Sequence, residues 1–316
     1  YGLALAKSLT KKKDNQIIVW SENVDKVNEV KRTGMIESVL PDIKLPKELR
    51  YTTSLEEAVY NQDLILIVVA TKYVSDISKK IKPYLSKNTH VCICSKGIDI
   101  DSCNFVSEVF FKYNPRHKRL AIVSGPSFAI DILNSEPVAL TVASKSFRTV
   151  ETVQKALVSD TLKLRSTNDL IGIQICGSIK NIVAIASGII TGLGYSDSTR
   201  AFLITESLHD IKELISGLGG NKKSILSYAG VGDLLLTCTS IKSRNYSYGI
   251  LIGAKKYQQA NNYLNTTTVE GYYTLKSIYK LIKKKKIKMP IMDLIYKIIM
   301  NNDNPELLIE FLINKK

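Results

Sequence analysis

Several things this chain of 316 residues has little of narrow what it does. Its five cysteines (Cys92, Cys94, Cys103, Cys176, Cys238) show no metal-ligand spacing and no staple-like pattern. That argues against a zinc module or a disulfide framework and fits a reducing cytoplasm. Cys92 and Cys94 fall two apart on an apparent strand, so both face one way, toward a core. The three histidines (His90, His117, His209) are dispersed, and no metal site is expected. Acidic residues are few, 29 Asp+Glu against 44 Lys+Arg, for a net charge of +15. Such a balance invites a nucleic-acid reading. Yet the lysines are scattered among isoleucine, asparagine and tyrosine. Only Lys11–Lys13 and Lys283–Lys286 cluster, without interleaved aromatics, so no nucleic-acid partner is expected. There is no low-complexity linker, no internal repeat and no visible signal-peptide pattern. One long apolar stretch, Ile171 to Leu193, raises a membrane question. It contains Gln174, Lys180 and Asn181, and a central lysine costs ~2.5–3.5 kcal/mol even on insertion scales. A soluble cytoplasmic protein without stable membrane insertion is expected.

What is present divides the chain in two. Gln16–Trp20, Leu64–Val69, His90–Cys94, Leu120–Ser124 and Val138–Ala143 are continuously apolar and rich in Val and Ile, as strands covered on both faces are. Polar, periodic segments such as Ser54–Asn61 and Val74–Leu85 lie between them. The alternation predicts a parallel, doubly wound α/β sheet with helices on both faces. Past about Ser166 only helical periodicity remains, with Asn168 placed to cap a long helix. The expected domains are 1–167, dinucleotide-binding, and 168–316, helical, with the substrate in the cleft between them.

Two stretches carry chemistry. Between Gly172 and Gly188, Lys180-Asn181 sits among apolar and small residues. A lysine there tends to lose its proton near neutral pH, as a general base must. By residue type alone, a lysine snorkelling out of a packed helix is as good a reading. Gln174, Gly177, Asn181 and Ala184 form a small or polar stripe that admits a ligand or another backbone. The second stretch is Ala229-Gly-Val-Gly-Asp233 followed by Ser243-Arg244-Asn245, where Arg and Asn supply forked donors for a phosphate. Asp233 is equally a candidate cap for the helix after it. Lys96 falls just past a strand, where open sheets bind ligands, or is a solvated turn lysine. Gly125-Pro126 precedes a helical pattern whose free amides attract phosphate, or is an ordinary turn.

Tyr1-Gly2-Leu-Ala-Leu-Ala6 looks like the end of a dinucleotide-binding fingerprint, its last glycine opening a helix. The fingerprint's strand and first two glycines are expected to precede Tyr1, in a longer natural chain without which the enzyme would be poor. Glu22 follows at roughly the twenty residues where an acid accepts from a ribose hydroxyl, or is merely an exposed charge.

Taken in order, Tyr1-Gly2, Leu40-Pro41, Leu45-Pro46, Ser95-Lys96-Gly97-Ile98, Ser124-Gly-Pro-Ser-Phe-Ala129, Gly177-Ser-Ile-Lys-Asn181, Gly230-Val-Gly-Asp233 with Thr237-Cys238, Ser243-Arg244-Asn245 and Val269-Glu270-Gly271 resemble the bacterial NAD(P)-dependent glycerol-3-phosphate dehydrogenases. The resemblance runs from Tyr1 almost to the C-terminus. It implies hydride transfer between NAD or NADP and the C2 of sn-glycerol 3-phosphate or dihydroxyacetone phosphate, supplying phospholipid synthesis. It also implies Lys180 as proton acceptor, with Asp233 and Lys96 beside it. Lys96, Gly125, Ser127, Lys180, Asp233, Ser243, Arg244 and Asn245 are implied at the substrate. Tyr1, Gly2, Glu22, Lys96, Ala129, Arg244 and Glu270 are implied at the cofactor. A small phosphorylated substrate and a possible homodimer are the implied partners.

The chain departs from the family pattern at Ala70-Thr71, where a proline is usual, at Ser198, and at Glu206-Ser207. Ser127 for threonine keeps the hydroxyl. A carboxylate at Glu22 would repel the 2′-phosphate of NADP and leans the reading toward NAD. A related two-domain 3-hydroxyacid dehydrogenase is the competing reading, against which the Ser243-Arg244-Asn245 triplet argues. A basic nucleic-acid-binding protein and an inactive homologue used as a binding module are the others.

Overall fold

Side-chain caps set where many of the helices start. In the computed structural model, which describes residues 1–314, Asn23, Ser54, Ser146, Asp169 and Ser243 each accept a backbone N–H from the first turn that follows. The first half runs α1 (Gly2–Leu9), β1 (Ile17–Trp20), α2 (Val24–Thr33), β2 (Leu49–Thr52), α3 (Leu55–Val59), β3 (Leu64–Ile67), α4 (Val74–Lys80) and β4 (His90–Ile93). It continues with α5 (Val106–Tyr113), β5 (Leu120–Ser124), α6 (Ala129–Leu133), β6 (Val138–Ser144), α7 (Phe147–Leu157) and β7 (Leu162–Thr167). Among the described residues only helices follow: α8 (Leu170–Gly192), α9 (Asp197–Gly217), α10 (Asp233–Thr239), α11 (Arg244–Gly253), α12 (Tyr257–Thr266), α13 (Glu270–Lys285), α14 (Pro290–Met300) and α15 (Leu307–Asn314). Short helical turns at Lys222–Leu226 and Tyr228–Gly232 precede α10.

The expected α/β-then-α architecture is present, and three features refine it. The strands form two sheets, β1-β2 and β3-β4-β5-β6-β7. Helix α1 covers both, packing Leu3 and Ala6 with Ile17 and Val19 of β1, and Ala4 and Leu5 with Leu64 and Leu66 of β3. Second, β6 runs antiparallel to β5. The connection between them holds only the five-residue α6, which packs on α1, in place of the full crossover helix that usually joins parallel neighbours. Third, β2 and β7 are strands not read from the sequence. In β7, Leu162 and Leu164 are buried while Lys163 and Arg165 are exposed, the half-covered alternation of an edge. Cys92 and Cys94 lie buried together on one face of the sheet.

The cap of α8 is Asp169, not Asn168. Its Oδ1 accepts from Gly172 N at 3.0 Å, and its Oδ2 accepts from Asn221 N at 2.8 Å and Ser224 Oγ at 2.5 Å. Both residue types make good caps, but only Asp169 also pins the turn before α10. Helix α8 is long and apolar enough to cross a membrane, yet the whole of its apolar window is buried inside the fold. Gly188 and Gly192 of α8 face Gly249 and Gly253 of α11 so closely that a Cβ on Gly188 would stand 2.1 Å from Tyr246 O. That crossing brings the start of α11 against the middle of α8.

Candidate active site

Lys180 points from the middle of α8 into a polar pocket at the junction of the two halves. It is 8% exposed, so it does not snorkel to solvent. Its Nζ donates to Asp233 Oδ1 at 2.5 Å and to Thr237 Oγ1 at 3.0 Å. Lys96, on the loop after β4, donates from Nζ to the other oxygen of the same carboxylate at 2.7 Å and to Gly125 O at 3.1 Å. Asp233, 1% exposed, therefore spends its carboxylate on two ammonium groups and caps no helix; the residue ahead of α10 is Gly232.

One carboxylate cannot compensate two buried cations fully. Burial lowers the pKa of Lys180, the charge of Lys96 lowers it further, and Asp233 only partly opposes them, leaving it at about 8. Burial also acts against the charge of Lys96, but there Asp233 and Tyr1 outweigh it and hold the ammonium above its ordinary range. The pair is thus split into a lysine that keeps its proton and one poised to exchange it.

The loops at the strand ends are stitched into this cluster. Thr71 Oγ1 donates to Lys96 O at 2.8 Å, and Ser95 Oγ to Val69 O at 2.5 Å. Gly125 has φ +155°, and a Cβ there would stand 2.9 Å from Leu140 Cα. Its glycine identity serves the approach of β6, and its carbonyl holds Lys96. Ser127 Oγ pairs with Tyr1 OH at 3.0 Å. Burial pushes the Tyr1 phenol up to about 12. Ala129 opens α6 beside them. Ala70, where the family usually has proline nearby, has φ −59°, a value proline itself adopts.

The remaining site residues divide sharply. Ser243 caps α11, its Oγ accepting from Tyr246 N at 3.3 Å, so its hydroxyl is engaged by the helix. Arg244 is exposed at the helix start, its charge felt at Glu270. Asn245 is buried, and its side chain bonds Asn181 and Gly271. Burial raises the pKa of the Glu270 carboxyl, against the opposing charges of Arg244, Lys180 and Lys96. Gly2 opens α1 against Val68, and Glu22 stands apart, exposed past the end of β1. Thr237 is the residue that reading the sequence missed in this role. Its place four residues after Asp233 on a helix was the available signal, since i and i+4 share a face.

A cleft of about 330 Å³ opens beside the cluster, lined among others by Thr71, Ile98, Ile100, Thr266, Glu270 and Tyr273. Its walls are apolar at the isoleucines and Tyr273 and polar or charged at Thr71, Lys72 and Glu270. Such a mixed lining suits a small organic ligand with apolar and polar parts. Two family models match the chain: the N-terminus of NAD-dependent glycerol-3-phosphate dehydrogenase over residues 1–150, and its C-terminus over 169–310. Glycerol-3-phosphate dehydrogenase (NAD(P)+) of Bacillus subtilis is 35% identical across 99% of this chain and 91% of its own length. That of a Thermoanaerobacter species is 37% identical across 96% and 91%. The crystal structure of glycerol-3-phosphate dehydrogenase from Coxiella burnetii superposes with a TM-score of 0.89 at 30% identity, covering 99% of this chain and 95% of that one. With both halves matched by one family and such identity across nearly its whole length, the chain belongs to the NAD-dependent glycerol-3-phosphate dehydrogenases.

Proposed function

We propose that this chain interconverts sn-glycerol 3-phosphate and dihydroxyacetone phosphate, with Lys180 moving the proton at the C2 oxygen. The chain is an oxidoreductase of its family and uses NAD or NADP. The observation that carries the role of Lys180 is a buried lysine drawn to about 8 while it shares Asp233 with a second, fully charged lysine. In the direction of reduction its ammonium gives a proton to the ketone oxygen; in oxidation its free amine takes the proton from the hydroxyl. Bound NAD(P) supplies or accepts the hydride at C2. Lys96 stays cationic and stabilises the oxygen as it gains charge. Asp233 holds both lysines at one point, and Thr237 fixes the direction of Lys180.

The substrate phosphate lies at the start of α11, between the Arg244 fork and the helix's first free amides. Gly125 and Ser127 line the substrate on the side of the sheet. Glu270, Arg244, Lys96 and Ala129 hold the cofactor along the cleft, with Tyr1 and Gly2 at the turn into α1. Glu22 meets the adenosine ribose and disfavours a 2′-phosphate there, so NAD is the preferred cofactor. The division at 167/168 falls between the two matched spans and belongs to this reading. So do a cytoplasmic enzyme without stable membrane insertion, a homodimeric assembly, and supply of glycerol 3-phosphate for phospholipid synthesis.

Initial rates with NADH and with NADPH test the proposal, each with dihydroxyacetone phosphate and with a panel of 3-oxo acids. Turnover confined to the phosphorylated ketone is expected. Turnover of the acids in its place would contradict it.

A further inference from the structure

Charge is spread unevenly over the surface. Between residues 276 and 297 stand eight lysines and one acid, Asp293, a net +7 of the chain's +15. Lys276 and Lys280 lie four residues apart on α13, so they share a face. Lys283–Lys286 end that helix, Lys288 stands in the turn after it, and Lys297 is on α14. All eight are exposed. Helices α13 and α14 run antiparallel, side by side. Tyr279 stacks on Tyr296 with ring centroids 3.7 Å apart, and Lys283 Nζ donates to Asp293 Oδ2 at 3.0 Å.

Elsewhere exposed cations meet carboxylates, as in Arg50–Glu57, Lys80–Asp76 and Lys222–Glu213. Among the described residues, Lys283 is the one lysine of this face with an acidic partner. The helix macrodipole favours a basic last turn. That accounts for Lys283–Lys285, but not for Lys276, Lys280, Lys288 or Lys297. Lys286 is held at φ +55°, a left-handed conformation in which glycine is the usual residue, so its charge stands there at a backbone cost.

We propose that the α13–α14 face adsorbs to an anionic lipid bilayer. Clusters of about 4–8 basic residues on a helix surface are drawn to acidic headgroups, each lysine adding to the attraction. Among the described residues from 276 to 297 no large apolar side chain is exposed, so the contact is electrostatic and nothing inserts. Nucleic acid fits this face less well. Single strands are held by stacking on open rings, and the rings between these lysines are taken. Tyr279 and Tyr296 cover each other, and Lys283 lies over Tyr279 at 5.1 Å. The cleft stays open in this orientation, because Glu270 begins α13 and Lys284 lies about 20 Å along it.

Sedimentation of the full chain with vesicles tests the proposal and needs no turnover. Binding is expected to vesicles of equal parts phosphatidylglycerol and phosphatidylcholine, and not to phosphatidylcholine alone. It should be lost as salt rises from ~0.1 M to ~0.5 M, where the screening length falls well below 10 Å. The combined variant Lys280→Gln, Lys284→Gln, Lys285→Gln and Lys288→Gln spares the Lys283–Asp293 pair and the left-handed Lys286. Its partition onto the anionic vesicles should fall at least about a hundredfold. Its unfolding midpoint, and its kcat and KM without vesicles, should match the wild type. Failure of the wild type to sediment with the anionic vesicles would overturn the proposal. So would equal binding by the variant, binding that survives ~0.5 M salt, or tighter binding to an oligonucleotide than to the vesicles at the same salt. A raised KM for dihydroxyacetone phosphate in the variant, free of vesicles, would assign these lysines to steering of an anionic substrate in place of a membrane.

Discussion

The proton-transfer end of the site and its ribose end are built in opposite ways. Lys180 sits in a helix buried without interruption from Gly172 to Ile190, and its partner Asp233 is 1% exposed. Its position is fixed by α10, by the loop after β4 and by a glycine-lined helix crossing. Glu22, by contrast, is exposed just past the end of β1. Burial gives the lysine its chemistry, because desolvation, helped here by a neighbouring cation, moves it toward neutral pH. Exposure leaves the carboxylate as a solvated charge, which acts on a ligand through repulsion and is screened by salt. Substitutions at the two ends should therefore differ in size and in kind.

The largest effect is expected at the buried end. Lys180→Ala should lower kcat by ~10²–10⁴-fold, the usual contribution of a general acid–base group, and leave NADH binding nearly intact. Retention of more than about a tenth of the wild-type kcat, far outside that range, would remove Lys180 from the mechanism.

An intermediate effect belongs to Arg244, which is exposed yet stands at the start of a well-anchored helix. Arg244→Lys keeps the charge and loses the planar fork, so KM for dihydroxyacetone phosphate should rise by roughly tenfold. An unchanged KM would place the phosphate elsewhere.

The smallest effect is expected at the ribose end. Glu22→Arg exchanges a repulsive charge for an attractive one at an exposed site. A change of about 1 kcal/mol is the scale for such pairs, roughly a fivefold shift of kcat/KM toward NADPH over NADH. If the ratio does not move, the ribose does not lie beside Glu22.

The same contrast explains what could be read from the sequence. Lys180-Asn181 stood out because a lysine inside an apolar run is costly and so conspicuous. The α/β-then-α order was legible because buried strands are apolar without alternation. β2 and β7 were not, because their half-exposed alternation is short and mixed with charge, as in Leu162-Lys-Leu-Arg165. The direction of β6 was not legible either, since a buried strand has the same composition whichever way it runs. Asn168 and Asp169 are neighbouring cap residues, and only the contacts to Asn221 and Ser224 choose between them. Asp233 could be read as a cap or as a site residue, and the answer lay in two lysines distant along the chain. Asn245 was read for its donors, one of which goes to Asn181 within the protein; no spacing in the sequence reveals that Gly271 lies against it.

The central claim is that Lys180 is poised to exchange its proton while Lys96 stays charged. The pH dependence of turnover in both directions tests it most directly. With a pKa of about 8, the free amine needed to accept a proton accumulates as pH rises through that value, so oxidation of glycerol 3-phosphate should accelerate there. Reduction of dihydroxyacetone phosphate needs the ammonium and should slow over the same interval. Opposite titrations centred near the same pH are the predicted result; rates in both directions that stay flat through pH 8 would contradict the account.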